Sequence, residues 1–298
     1  MAHHHHHHHH HETGNIKVAF FLNLSFTIVE FIGGLLTNSL AIMSDAIHDL
    51  GDSLSLGMSW YFQNLSNKKA SKSFSYGYGR FSLLGAIINA VVLTIGSIFI
   101  ITEAIPRIIN PEEADAHGMM WFAILGIVVN GVAVIRLRKG SSINERVVSL
   151  HLFEDVLGWV AVLVASIVMQ FWDVPILDPI LSFVIALYIL FNVFKNIKES
   201  FGIILQGVPK KLRTDAIEKV LRRFDEIERV HDCHVWSMDG EFNIATMHLI
   251  LKSDVLDWKE SKALKKAVRN VLYDQFHLEH VTLELEYNSE ECDYIDCN

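Results

Sequence analysis

Ser44-Asp45-Ala46-Ile47-His48-Asp49-Leu50-Gly51-Asp52 and His151-Leu152-Phe153-Glu154-Asp155 each place a histidine four residues ahead of an aspartate inside a long apolar stretch. On an α-helix this spacing stacks the two side chains on one face, about a turn apart. At 100° per residue, Asp45, His48, Asp49 and Asp52 all fall within an arc of about 100°, so they can face one cavity together. A carboxylate at mid-bilayer costs about 2.5–3.5 kcal/mol, so three on one span amount to about 8–10 kcal/mol that partners must offset. A divalent cation held by two imidazoles and two carboxylates offsets it. Four N/O ligands in tetrahedral array suit Zn²⁺. A single intramembrane histidine is explained as well by a hydrogen bond to a neighbouring helix. The same pair repeated on two spans points to a site. Asp45, Asp49 and Glu154 read as positioning or water-contacting groups rather than ligands.

Working outward, six apolar stretches near the ~20 residues needed to cross a bilayer occupy the first two thirds of the chain. They run over about Lys17–Leu36, Leu40–Phe62, Leu83–Ile105, Met119–Ile135, Val147–Phe171 and Ile176–Phe194, the fourth being the shortest. The mean hydropathy of +0.29 over 298 residues fits a membrane protein rather than a wholly soluble one. Lys68, Lys69, Lys72 and Arg80 lie in the second-to-third connector, and Arg136, Arg138, Lys139 and Arg146 in the fourth-to-fifth. The opposite connectors hold Arg107 and otherwise acids: Glu112, Glu113, Asp115, Asp173 and Asp178. The positive-inside rule then puts both termini in the cytosol, in agreement with an even number of spans. Glu30 and Glu103 are further costly acids in the first and third spans, and Asn89 is a candidate for hydrogen bonding across helices.

Beyond Lys198 the composition changes. Residues 199–298 hold 13 Lys+Arg against 20 Asp+Glu, which is seven of the nine net negative charges. A separate soluble domain from about Pro209 is expected, near the lower size at which a core folds alone. Its pattern predicts a helix (Thr214–Phe224), strands (Val230–Ser237 and Asn243–Leu251), a longer helix (Lys259–Phe276) and a last strand (Val281–Tyr287). Met238-Asp239-Gly240 signals a hairpin turn. The fold class is thus an α-helical membrane protein with six transmembrane helices and a C-terminal cytosolic α+β domain. That domain has an αββαβ order, ferredoxin-like, with both helices on one side.

A second constellation lies in this domain. His231-Asp232-Cys233-His234 opens the first strand, His248 sits on the second, and Glu284 and Glu286 alternate on the last; paired strands bring these toward one end of the sheet. Cys292 and Cys297, five apart in an acidic tail, are candidates to close over that site or over a second subunit's, although metal-binding pairs more often sit two to four apart. Surface or capping roles explain His231, His234 and His248 about as well. His277 and His280 read as helix-dipole partners, and His117 as solvated.

The domain limits that follow are 1–14 for a His-rich tail, 15–208 for the membrane domain, 209–290 for the cytosolic domain and 291–298 for the Cys-containing tail. Nine of the 17 histidines form the run His3–His11, which reads as a purification tag or as a native metal-gathering tail. No cleaved signal peptide is expected. The net charge of −9 excludes a nucleic-acid binder built on a basic surface. Three cysteines, all outside the spans, fit a reducing compartment rather than a disulfide framework. Their absence from the spans argues against Cu⁺ as cargo, and the mixed N/O set against Mn²⁺ or Fe²⁺. An intramembrane metallohydrolase is disfavoured because His-Glu-x-x-His is missing.

Several motifs in one order carry a resemblance. Leu36-Thr37-Asn38-Ser39-Leu40-Ala41 leads into Ser44–His48, followed by Tyr76-Gly77-Tyr78-Gly79-Arg80-Phe81, His151–Asp155 and His231-Asp232-Cys233-His234-Val235-Trp236. Together they resemble the cation diffusion facilitator family, in its zinc-transporting, cobalt-zinc-cadmium resistance type branch, over nearly the whole chain. The resemblance implies a homodimer that is not an enzyme but a secondary transporter. It would export Zn²⁺, with Cd²⁺ and Co²⁺ as passengers, against protons by alternating access. The location implied is the plasma (inner) membrane or an intracellular vesicle membrane. The family's transport ligands fall on His48, Asp52, His151 and Asp155. Its cytosolic site, where Zn²⁺ would act as a regulatory ligand, falls on His231, His248 and Glu284, with Cys292 and Cys297 as candidate additional ligands. Two departures stand out: Ser82 where many relatives carry an acid, and Lys68, Lys69 and Lys72 where vesicular members are often His-rich. A membrane metal sensor that never transports is the alternative.

Overall fold

The computed structural model describes residues 12–66, 71–137, 143–252 and 257–287. The His3–His11 run and the tail cysteines Cys292 and Cys297 lie outside the described residues. The chain divides into two compact units, Met1–Lys68 with Leu84–Ile197, and Lys69–Leu83 with Lys198–Asn298. The short connector that follows the second helix thus groups with the C-terminal unit.

Six long helices make up the first unit: α1 (Glu12–Thr37), α2 (Leu40–Ser66), α3 (Phe81–Ile109), α4 (Ala116–Leu137), α5 (Ile143–Trp172) and α6 (Leu177–Ile204). Five of them, all but α2, are long and apolar enough to cross a membrane by length and composition. α2 falls short because Asp45, Asp49 and Asp52 lie within four turns of its start, with Ser53 and Ser55 close behind. The outer surface is apolar, as a hydrocarbon solvent requires: Ile95, Phe99, Phe171, Phe191 and Phe194 are all exposed.

Two buried clusters organise the helices, and α2 contributes to both. Ala41 and Ile42 pack with Met119 and Ala123 of α4 and with Trp159, Val162 and Met169 of α5. On the other side, Met43 and Ile47 pack with Ala90, Leu93 and Ile100 of α3 and with Ala186, Ile189 and Val193 of α6. Small residues allow this closeness. A Cβ added at Gly126 on α4 would stand 2.2 Å from the Trp159 ring, so glycine is needed there for the two helices to meet.

The α1–α2 turn is heavily tied. Asn38 takes a left-handed φ of 53°, and Ser39 N–H donates to Gly34 O (3.0 Å), closing the end of α1. Arg107 Nη1 of α3 donates to Asn38 O (3.1 Å) and to its Oδ1 (3.0 Å). Asn38 Nδ2 donates to Glu113 O (3.1 Å), and Asp115 N–H donates to Thr37 O (2.8 Å). Asn89 Nδ2 bonds Ser55 Oγ (2.8 Å) across α3 and α2.

The second unit runs α7 (Thr214–Leu221), β1 (Ile227–Ser237), β2 (Asn243–Leu251), α8 (Trp258–Phe276) and β3 (Leu278–Tyr287). The sheet order is β1-β2-β3, with β1 antiparallel to β2 and β2 parallel to β3. The strand alternation read from the sequence sets the faces. Ala245, Met247, Leu249 and Leu251 of β2 join Ile217 and Leu221 of α7, and Leu264, Val268 and Leu272 of α8, in one core. β1 and β3 begin three residues earlier than their patterns indicate, because backbone pairing starts ahead of the first alternating side chain, at Ile227 with Leu251 and at Leu278 with Asn243. α8 starts at a capping box, with Asp257 Oδ1 accepting from Glu260 N–H (2.7 Å) and Glu260 Oε2 from Asp257 N–H (3.0 Å). It ends at His277, whose φ is 50°. In the connector, the Tyr76 ring meets His280 edge-on at 5.6 Å.

Candidate metal centres

α2 and α5 bring the two His-x-x-x-Asp pairs together. His151 Nε2 lies 2.7 Å from Asp52 Oδ2, and His48 Nε2 lies 3.9 Å from the same oxygen. The two imidazole rings meet edge-on at 5.8 Å. Ligand atoms of His48, His151 and Asp155 all fall within 4.8 Å of one another. Around this group Glu30, Asp45 and Asp49 are buried. Asn23 Nδ2 donates to Asp49 O (3.0 Å) and Ser53 Oγ (3.0 Å), fixing the α2 backbone against α1 beside the ligands. Glu154 and Glu103 are exposed. His48 Nδ1 is buried, with no hydrogen-bond partner among the described residues.

The second centre forms on the sheet face away from the helices. His231 and His248 are cross-strand partners, and β2–β3 register sets Glu284 opposite His248. Glu286 is the carboxylate that gathers the two rings: its Oε2 lies 2.7 Å from His231 Nε2, and its Oε1 makes a short contact with His248 Nδ1. Ligand atoms of His231, His248 and Glu286 lie within 4.8 Å of one another. Glu284 is also near, at 3.6 Å from His248 Nε2, but its side chain is 66% exposed. Asp232 takes a left-handed φ of 47° at a register shift between His231 and His234. This bulge turns its carboxylate back to His248 Nε2 (3.4 Å) and His234 Nε2 (2.8 Å). Burial, reinforced by Glu218 and Asp232, pushes the Cys233 thiol up to about 11. This favours the protonated thiol at neutral pH.

The sequence pattern found the residues of both clusters, including Glu286 as one of two alternating acids. It carried no signal for choosing between Glu284 and Glu286, since both point to one face. Asp178 it counted only among the acids of the outer connectors, and the structure buries it.

Apolar helices with an exposed hydrocarbon-like surface, a His/carboxylate cluster between two of them, and an α/β domain bearing a second such cluster define a multi-pass membrane protein with two candidate metal centres. The chain belongs to the cation efflux family: the cation efflux transmembrane domain matches residues 16–205, and the cation efflux protein cytoplasmic domain matches residues 209–288. It is 34% identical over 275 residues to the cadmium, cobalt and zinc/H(+)-K(+) antiporter of Bacillus subtilis, covering 91% of this chain and 88% of that protein. It is 33% identical over 302 residues to the zinc transporter ZitB of Pectobacterium atrosepticum, covering 100% of this chain and 92% of the relative. The metal cation efflux system protein CzcD of Cupriavidus metallidurans shares 31% identity over 274 residues, with coverages of 91% and 86%.

Proposed function

We propose that this protein exports Zn²⁺ from the cytosol in exchange for protons, through His48, Asp52, His151 and Asp155, by alternating access. The observation that carries the reading is the convergence of two i,i+4 His/Asp pairs from α2 and α5 at one point of the membrane unit. The names of its relatives, which include cadmium and cobalt with zinc, support Cd²⁺ and Co²⁺ as further cargo. Ligands must be deprotonated to bind metal, so a cation arriving from the cytosol displaces protons. Protons competing for imidazole and carboxylate on the other side release it. A mixed N₂O₂ set suits an ion that must also leave, because it lacks the thiolates that would hold Zn²⁺ more tightly.

In this reading all six long helices span the bilayer. α2 does so despite its polarity because Asp45 and Asp49 are turned into the bundle. The connectors rich in Lys and Arg lie on the cytosolic side with both termini, in a plasma (inner) or vesicle membrane. The C-terminal domain is ferredoxin-like and joins two protomers in a homodimer.

The test uses proteoliposomes with a pH-sensitive dye inside. The parent chain should couple Zn²⁺ flux to proton movement, and His48→Ala with Asp155→Ala should abolish both. Exchange at the parent rate in the double variant would remove the site, and Zn²⁺ binding without flux in the parent would favour the sensor reading.

His231, His248 and Glu286, with Glu284 at the rim and Cys292 and Cys297 from outside the described residues, bind Zn²⁺ as a regulatory ligand. With the His3–His11 run removed and in the His48→Ala/Asp155→Ala background, which silences the membrane site, Glu286→Ala is expected to weaken Zn²⁺ binding by at least about 10-fold. Glu284→Ala should have a much smaller effect. Equilibrium dialysis checks the order of the two, and the reverse order would assign Glu284 as the ligand.

A further inference from the structure

Asp178 opens α6 and looks in sequence like one more acid of an outer connector, yet it is only 1% exposed. Its Oδ1 accepts from the Ser39 hydroxyl (2.5 Å) and from Ala41 N–H (3.1 Å), and its Oδ2 accepts from Leu40 N–H (2.8 Å). Ser39 Oγ in turn accepts from Ile42 N–H (3.2 Å). The first three N–H groups of α2, which have no partner within the helix, are therefore all satisfied. Two of them are met by a carboxylate supplied by a different helix. The negative charge also faces the positive end of the α2 dipole.

This cap matters beyond stability because of what α2 carries. His48 follows Leu40 by eight residues, about 12 Å along the helix axis, and Asp52 lies about 6 Å further. A rigid helix held at its first turn by Asp178 has its ligands set in height and rotation with respect to α6. Misplacing ligands by about 1 Å is enough to spoil a binding geometry.

We propose that Asp178 is a positioning residue for cation transport: it clamps the start of α2 to α6 so that His48 and Asp52 stand at the height and rotation that meets His151 and Asp155. The inference rests on the transport-site reading above, and its test is chosen to separate the two.

Co²⁺ bound in a tetrahedral N/O site has visible absorption bands that report its geometry. Titrating Co²⁺ into the chain in detergent, with the His3–His11 run removed and in the His231→Ala/Glu286→Ala/Cys292→Ala/Cys297→Ala background, reads the membrane site. Asp178→Asn, which keeps one acceptor oxygen, is expected to weaken Co²⁺ binding about 10-fold, and Asp178→Ala by more than that. Ser39→Ala, which removes one of the three bonds to the carboxylate, should have a smaller effect of the same sign. Transport should fall in the same order. If Asp178→Ala does not fold, the asparagine and Ser39 variants decide. Variants whose thermal midpoints drop while Co²⁺ affinity and absorption bands stay within twofold of the parent would make Asp178 a stability residue only and overturn the proposal. His48→Ala run in parallel separates the premises: if it leaves the Co²⁺ bands intact, the transport-site assignment has failed, not the clamp.

Discussion

Replacing Asp52 by alanine is expected to lower Zn²⁺ flux in proteoliposomes by more than about 100-fold, beyond the 10- to 100-fold typical of losing a partner that only orients a ligand. Asp52 is the point where the two helices meet: one of its oxygens stands 2.7 Å from His151 Nε2 and 3.9 Å from His48 Nε2. Without it the proposed site keeps two imidazoles and one carboxylate, and would lose a ligand and a negative charge together. Asp52→Asn separates those losses. The amide oxygen keeps the shape and one acceptor but no charge, so binding should recover only slightly. Measured against an imposed pH gradient, flux of Asp52→Asn equal to the parent would show that the carboxylate serves only to orient His151.

Gly126→Ala should be the most damaging small substitution in the membrane unit, although Gly126 touches no candidate ligand. The added Cβ would lie 2.2–2.6 Å from atoms of the Trp159 indole. That ring is 1% exposed and packed among Ala41, Met119 and Val162, so it has nowhere to move. Overpacking of this kind costs about 3 kcal/mol, and the relief available is to push α5 away from α4. Trp159 follows Asp155 by one helical turn, so displacing α5 there also moves His151 and Asp155 from α2. A lowered thermal midpoint together with lost flux is expected. Gly131→Ala, on the same helix, meets nothing within 4 Å. It should be neutral or should stabilise by up to about 1 kcal/mol through helix propensity. Equal midpoints for the two variants would show that α4 and α5 are not packed as closely as the Gly126–Trp159 contact requires.

Much of this architecture was legible in the residues because it follows from local periodicity. Runs of about 20 apolar residues mark helices wherever they fall, and two-residue alternation marks β2 at Asn243–Leu251, as found. The same local logic pairs His48 with Asp52 and His151 with Asp155, since an i,i+4 pair shares a helix face whatever the helix packs against. Leu40–Phe62 reads in sequence as one of six apolar spans, but the three carboxylates of α2 keep it outside the set of plainly apolar helices, which number five among the described residues.

What a one-dimensional pattern cannot carry is which faces meet. That α2 and α5 are neighbours, so that two separate pairs become one site, depends on buried contacts such as Ala41 and Ile42 with Trp159, between residues more than a hundred positions apart. The choice of Glu286 over Glu284 as the carboxylate gathering His231 and His248 depends on strand pairing and on how side chains lean along the sheet, which parity alone leaves open. Asp178 is the clearest case. In sequence it counts only as one more acid near an outer connector, and it is the approach of α6 to the unpaired N–H groups at the start of α2 that gives its carboxylate a buried place. The sequence by itself determined the elements and the chemistry each carries, because period and residue type are local properties. The tertiary structure alone decided which of those groups act together, because burial and distance belong to the packed chain.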